Sequence, residues 1–118
     1  AQPAADPDVF DYVGLAQRMM GDEEIVRTVM QGFVKHTGDD VAGLERALAD
    51  GDCERAERCA HTIKGAAANV CGERLRRVAD EIETAVGDNR LPAARSRLAA
   101  LQEALGRLQN EMNRRLEA

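Results

Sequence analysis

Positions 61–65 read His61, Thr62, Ile63, Lys64, Gly65: a histidine, a cation three residues on, and a glycine beside that cation. A neutral imidazole carries one ring-nitrogen lone pair near pH 7, which suits it to nucleophilic attack or proton transfer. Lys64 is one of only two lysines beside fourteen arginines, and a flexible ammonium one helical turn from a histidine can neutralise an oxyanion built on that ring. Side chains on a helix lean toward its N-terminus, so any side chain at position 65 would lean back toward His61, and glycine leaves that approach open. An interior helical glycine costs about 1 kcal/mol relative to alanine. In a segment as rich in alanine as this one, that cost points to clearance for a docking protein. The chemistry implied is an anion carried on His61.

No other cluster competes with it. His36 has no comparable neighbours and reads as a surface or boundary residue. Cys59 and His61 are two apart and point about 200° apart on a helix, so they do not make a metal site. Cys53, Cys59 and Cys71 are odd in number with no C-x-x-C spacing, which reads as reduced, mostly buried thiols and not a disulfide framework. No nucleophile, base and oxyanion-hole set suggests a hydrolase or metabolic enzyme.

The elements that must hold His61 follow from composition and pattern. The chain has 118 residues, 31% charged and 44% hydrophobic, with two Phe, one Tyr and no Trp. That is one domain, rich in helix formers and poor in strand formers, and long enough to bury a core without disulfides. A net charge of −5 argues against general nucleic-acid binding, which rests on clustered Lys and Arg. No apolar run is long enough to cross a bilayer and the start has no signal-peptide pattern, so the expected location is cytoplasmic, or a cytoplasmic segment of a membrane sensor.

Residues 1–7, with two prolines, read as a linker, and residues 8–118 as the domain, opening at the capping residue Asp8. A short helix is expected over 9–20, with Phe10, Val13 and Met20 along one side and Gly21 ending it. Asp22 caps a long helix over 22–50 whose apolar face includes Ile25, Val26, Val29, Met30, Phe33, Val41, Leu44 and Leu48. The pattern weakens at 37–40, which allows a bend. Gly51 and Asp52 form a turn into a third helix over 53–70, Gly72 breaks it, and a fourth helix spans 73–86. Pro92 opens the last helix, where Leu98, Leu101, Leu105, Leu108, Met112 and Leu116 alternate steps of three and four. The expected fold is all-α: an antiparallel up-down four-helix bundle with a short extra N-terminal helix. One bundle can bury all its seams internally, so a monomer is expected.

At about 100° per residue, Ala56, Cys59, Ala60, Ile63, Ala67 and Val70 share the inner face of the third helix, and His61 lies about 160° from its centre. The outward stripe is Glu54, Glu57, Arg58, His61, Lys64, Gly65 and Ala68, with a cation one turn either side of the histidine and small residues after it.

The stretch from His61 through Val70 resembles the H-x-x-K-G signature of histidine-containing phosphotransfer (HPt) domains, and residues 8–86 as a whole are similar to that family. One departure is Cys71, where the family commonly has glycine; here Gly72 follows it, which leaves open where the third helix ends. The resemblance implies a module that accepts a phosphoryl group on His61 from the phospho-aspartate of a response-regulator receiver and hands it to another receiver, without being an ATP-using kinase. It implies charge compensation by Lys64 and receiver access over Gly65 and Ala68. A polar family position near the imidazole falls on Glu83, which either orients the ring or is simply a solvated glutamate. Arg58 either steers an acidic receiver or is an ordinary exposed arginine. No cofactor or metal is expected on this chain; Mg²⁺ belongs in the receiver's acidic pocket. The chain could be freestanding or part of a hybrid sensor histidine kinase.

Two other readings stand beside this one. A chemotaxis-type kinase has a phospho-acceptor domain with the same signature, but its phosphate comes from an ATP-binding domain. A non-catalytic helical-bundle adaptor would bind partners with an incidental histidine. A dimerising kinase helix fits poorly, because Thr62 and Ala66 stand where an acidic residue and a proline are expected.

Overall fold

The computed structural model describes residues 6–117, and the linker reading of residues 1–5 lies outside them. All regular structure among these residues is helical: α1 (Tyr12–Arg18), α2 (Glu23–Asp50), α3 (Cys53–Asn69), α4 (Glu73–Gly87), α5 (Leu91–Ser96) and α6 (Leu98–Glu117). α2, α3, α4 and α6 pack as the four-helix bundle, each against two of the others. The 28 residues of α2 span about 42 Å at the helical rise, matching the 42 Å long axis of the molecule. No described helix is long and apolar enough to cross a membrane.

The core is a column of Leu44, Leu48, Ile63, Leu75, Ile82, Leu101, Leu108 and Met112, all fully buried. α2 runs unbroken through positions 37–40. The apolar pattern weakens there because Thr37 fills a core position, buried between Phe33 and Val41 on the same face. α5 and α6 are separated only by Arg97, which stays right-handed (φ −93°, ψ −6°), so together they take the place of the expected last helix.

The N-terminal segment differs most from expectation. Val9 and Phe10 are buried, but in a turn ahead of the helix, and the cap is Asp11, whose side chain accepts from Gly14 N–H, in place of Asp8. Asp8 is used elsewhere: its carbonyl accepts from Arg74 N–H at 2.8 Å, and its carboxylate takes Arg74 Nε at 3.0 Å and also pairs with Arg77. The hydrogen bond from Arg74, helped by Arg77, holds its carboxyl below the usual aspartate range against the opposing effect of burial. Asp6 also receives a bond from Arg74. With the helix starting three residues later than expected, Leu15 becomes its inward residue, and Val13 and Met20 are 64% and 94% exposed. Ile25, in the first turn of α2, is exposed as well.

Four helices end in one way. After α1, where Gly21 (φ 75°) is left-handed as well, and after α2, α3 and α4, a closing residue turns left-handed: Met20 (φ 57°), Gly51 (φ 69°), Cys71 (φ 61°) and Asn89 (φ 60°). In each case its N–H and the next one bond back to carbonyls three and five residues earlier, as in Cys71 to Ala68 and Gly72 to Ala67. This is the Schellman closure, which satisfies carbonyls that the helix leaves free. It settles the α3 end: helix to Asn69, Val70 as cap, Cys71 as the left-handed residue. Gly72 is required for a different reason, since a Cβ there would sit 2.6 Å from Leu108 Cδ2 on α6.

Two stability predictions follow from these ends. Met20→Gly removes a left-handed side chain that contacts almost nothing, and should raise unfolding stability by about 0.5–1 kcal/mol. Gly72→Ala drives a methyl into the fully buried Leu108, and should lower stability by about 1–3 kcal/mol. Urea unfolding of both variants, read by helical circular dichroism, checks the opposite signs.

Candidate functional site

α3 is seated by small residues: Ala56, Ala60 and Ala67 are fully buried with Ile63, and Cys59 Sγ lies 3.6 Å from where a Cβ on Gly43 of α2 would stand. Alanine and glycine at these positions let the helix axes approach closely, which fixes which residues of α3 and α4 meet. Their opposite face carries the outward stripe. The His61 side chain is 72% exposed.

His61 is nonetheless held. Its Nδ1 lies 2.7 Å from Glu83 Oε2, reaching across from α4. The other oxygen of the same carboxylate accepts from Lys64 Nζ at 2.8 Å, and Lys64 Nζ also donates to Asp80 Oδ1 at 3.2 Å. Glu83 therefore bridges the imidazole and the ammonium, two residues three apart on α3. On α4, Asp80 and Glu83 are also three apart, the spacing that puts two side chains on one helix face.

The protonation pattern follows from this geometry. Burial alone would raise the pKa of Glu83, but the hydrogen bonds from Lys64 and then His61 outweigh it and hold the carboxyl below its ordinary value. The bond to Glu83, followed by that to Asp80, raises the pKa of Lys64, so the ammonium stays charged. An ionised carboxylate only accepts, so the ring proton must be on Nδ1, donated to Glu83. In the neutral ring this leaves the lone pair on Nε2, at the edge facing away from Glu83.

Arg58 does not join this network. It pairs with Glu54 at 3.7 Å with both side chains well exposed, a geometry that screening makes weak. Arg58, Glu54, Glu57 and Thr62 line an open depression beside His61 and Glu83. Gly65 is exposed, and a Cβ there would meet nothing within 4 Å, so no contact inside this chain calls for glycine. Ala68 is partly buried, and its carbonyl accepts from Arg18 Nη1 at 3.1 Å, tying α1 to the end of α3. A shallow groove between α2 and α3 runs past Val29, Gly32, His36, Ala66 and Asn69. His36 is exposed along its edge.

Sequence reasoning missed Asp80. The signal was present: once Glu83 faces α3, a carboxylate one turn before it on α4 faces the same way. Among the described residues no three His, Cys, Asp or Glu side chains cluster so as to hold a metal ion.

Comparison with known proteins agrees with this architecture. No curated protein matches the chain. Among solved structures, it is similar to the HPT domain of the Hpt sensor hybrid histidine kinase from Shewanella, with a TM-score of 0.84 at 14% identity, covering 95% of this chain and 97% of that one. At that identity the likeness is one of fold. The family model described as Hpt domain matches residues 28–111, which span the end-to-end bundle from early α2 into α6 and include the whole of α3 and α4. The chain belongs to the Hpt domain family, the histidine phosphotransfer modules of two-component signalling.

Proposed function

We propose that His61 is the phospho-acceptor of a relay, taking a phosphoryl group from the aspartyl phosphate of one response-regulator receiver and passing it to another. The observation that carries this reading is the bond between Nδ1 of His61 and Glu83, which leaves the lone pair on Nε2 of a largely exposed side chain. In the forward step that lone pair attacks phosphorus, and the bond from phosphorus to the receiver's aspartate oxygen breaks, releasing a carboxylate. Nδ1 keeps its proton throughout, and Glu83 stabilises the positive charge that the ring acquires. In the return step an aspartate of the second receiver attacks phosphorus, and the N–P electron pair goes back to Nε2.

Such a transfer needs position and charge compensation more than covalent machinery. Lys64 is the compensating cation on this chain, and Mg²⁺ held by the receiver screens the phosphoryl oxygens from the other side. Gly65 and Ala68 form the low ground over which the receiver approaches, with Arg58 at its margin. The groove along Val29, Gly32 and Ala66 extends that surface away from the histidine. The chain acts as a monomer in the cytoplasm, either alone or as a segment of a hybrid sensor kinase.

Two experiments test the assignment. Incubating the chain with Mg²⁺ and a phosphorylated receiver should give acid-labile, base-stable phosphate on His61, and His61→Gln should remove it while leaving helical content and melting unchanged. Full labelling of the folded variant would move the site to another residue. Gly65→Gln places a side chain in open space, so it should keep or raise stability, by up to about 1 kcal/mol. The same variant should bind the receiver at least about tenfold more weakly, a loss near 1.4 kcal/mol. Undiminished affinity by calorimetry would remove the clearance argument.

A further inference from the structure

The resting network commits Lys64 in a direction the transfer does not use. Both of its partners, Glu83 Oε1 at 2.8 Å and Asp80 Oδ1 at 3.2 Å, are on α4, and Glu83 is the residue that grips Nδ1. The ammonium is therefore drawn to the Nδ1 side of the ring, whereas a phosphoryl group would be attached at Nε2. Two of the three ammonium donors are engaged by these carboxylates, so moving the ammonium toward that group works against both bonds. Glu83 is 18% exposed and also holds the imidazole, so it is the less dispensable of the two; the Asp80 side chain is 47% exposed and, among the described residues, makes no other side-chain hydrogen bond.

Charge points the same way. With a neutral imidazole, Lys64, Glu83 and Asp80 sum to −1, so the site is already negative before a phosphoryl group brings more negative charge. Arg76, one turn before Asp80 on α4, is engaged by Glu73 and only partly offsets it. Arg58, on the other side of His61, is paired with Glu54. A carboxylate that adds negative charge and also tethers the compensating cation makes the phosphorylated histidine harder to hold and easier to empty.

We propose that Asp80 is a positioning residue that, by anchoring Lys64 Nζ on the Nδ1 side of His61, biases the phosphoryl group toward leaving the histidine for the receiver. This rests on His61 being the acceptor. It is distinct from the role of Glu83, because Asp80 lies within hydrogen-bonding distance of Lys64 and acts on the ring only through it.

The test is the equilibrium distribution of phosphoryl between the intact chain and one receiver, approached from both directions, for the parent, Asp80→Asn and Asp80→Glu. Asp80→Asn should shift the distribution toward His61 by about two- to fivefold, the scale of one exposed ion pair, mainly by slowing the return step. Asp80→Glu, which keeps the charge, should restore most of the parental ratio. In a Lys64→Ala background the same Asp80→Asn change should lose most of its effect, the coupling that a double-mutant cycle isolates. An unchanged ratio in Asp80→Asn, or an equal shift with and without Lys64, would overturn the proposal. A second readout needs no phosphate: the ¹⁵N-ammonium signal of Lys64 should be detectable through slowed proton exchange in the parent and weakened in Asp80→Asn. If the parent takes no label on His61, the acceptor assignment falls, and the Lys64 signal still decides whether Asp80 anchors the ammonium.

Discussion

One carboxylate organises this site. Glu83 accepts from the imidazole with one oxygen and from Lys64 with the other, and so fixes ring orientation, ring tautomer and the position of the nearest ammonium together. It can do so only if α3 and α4 lie at the right separation and in register, because its partners are three residues apart on the neighbouring helix. The rest of the fold can be understood as what holds those helices in place. The buried alanines of α3 set the separation, and the closure at Cys71 with the contact of Gly72 on Leu108 sets the angle and register.

The bundle itself was legible because its signals are periodic and redundant. The inner face of α3, the stripe of leucines on α6 and the capping residues Asp22 and Asp52 each pointed to one answer, and the structure gives α2 and α3 the starts that those caps imply. The contact between Glu83 and His61 was harder to read. Periodicity places Glu83 only at the margin of its helix's apolar face, and whether it reaches across α3 or turns to solvent depends on interhelical distance. Asp80 was missed for the same reason, since its spacing from Glu83 gains meaning only once Glu83 and Lys64 are known to meet between α3 and α4.

Glycine shows where local rules gave out. Gly21 and Gly72 were natural stops, yet the closing residues of α1 and α3 are Met20 and Cys71, one position earlier; Gly21 is left-handed behind Met20, whereas Gly72 is not. A rule that expects glycine as the closing residue places the helix end late, by two residues at α1 and by one at α3. The N-terminal segment misled in a similar way: Phe10 is buried as its character suggests, but in a turn that Arg74 and Asp8 pin to the start of α4, and this moved the helical phase and left Val13 outside. Neither the arginine clamp nor the backbone bond from Asp11 to Cys71 is encoded in the local sequence around residues 8–20.

α3 thus divides its labour by face. The inner stripe of Ala56, Ala60, Ile63 and Ala67 carries packing energy, and the outer stripe of Arg58, His61, Gly65 and Ala68 bears little of it, so the outer residues can be chosen for chemistry and access. Gly65 makes this concrete: nothing inside the chain stands within 4 Å of its missing Cβ, and an alanine there would favour the helix. Glu83 belongs to neither stripe. It lies beside the buried Ile82 on α4 and is largely covered itself, and desolvation strengthens its bonds to His61 and Lys64 relative to the same bonds in open water. A carboxylate placed wholly in the core would be too costly to keep ionised, and one placed wholly in solvent would hold the ring only loosely. The edge of the bundle is where an ionised group can be both affordable in free energy and firm in geometry, and that is where the imidazole is gripped.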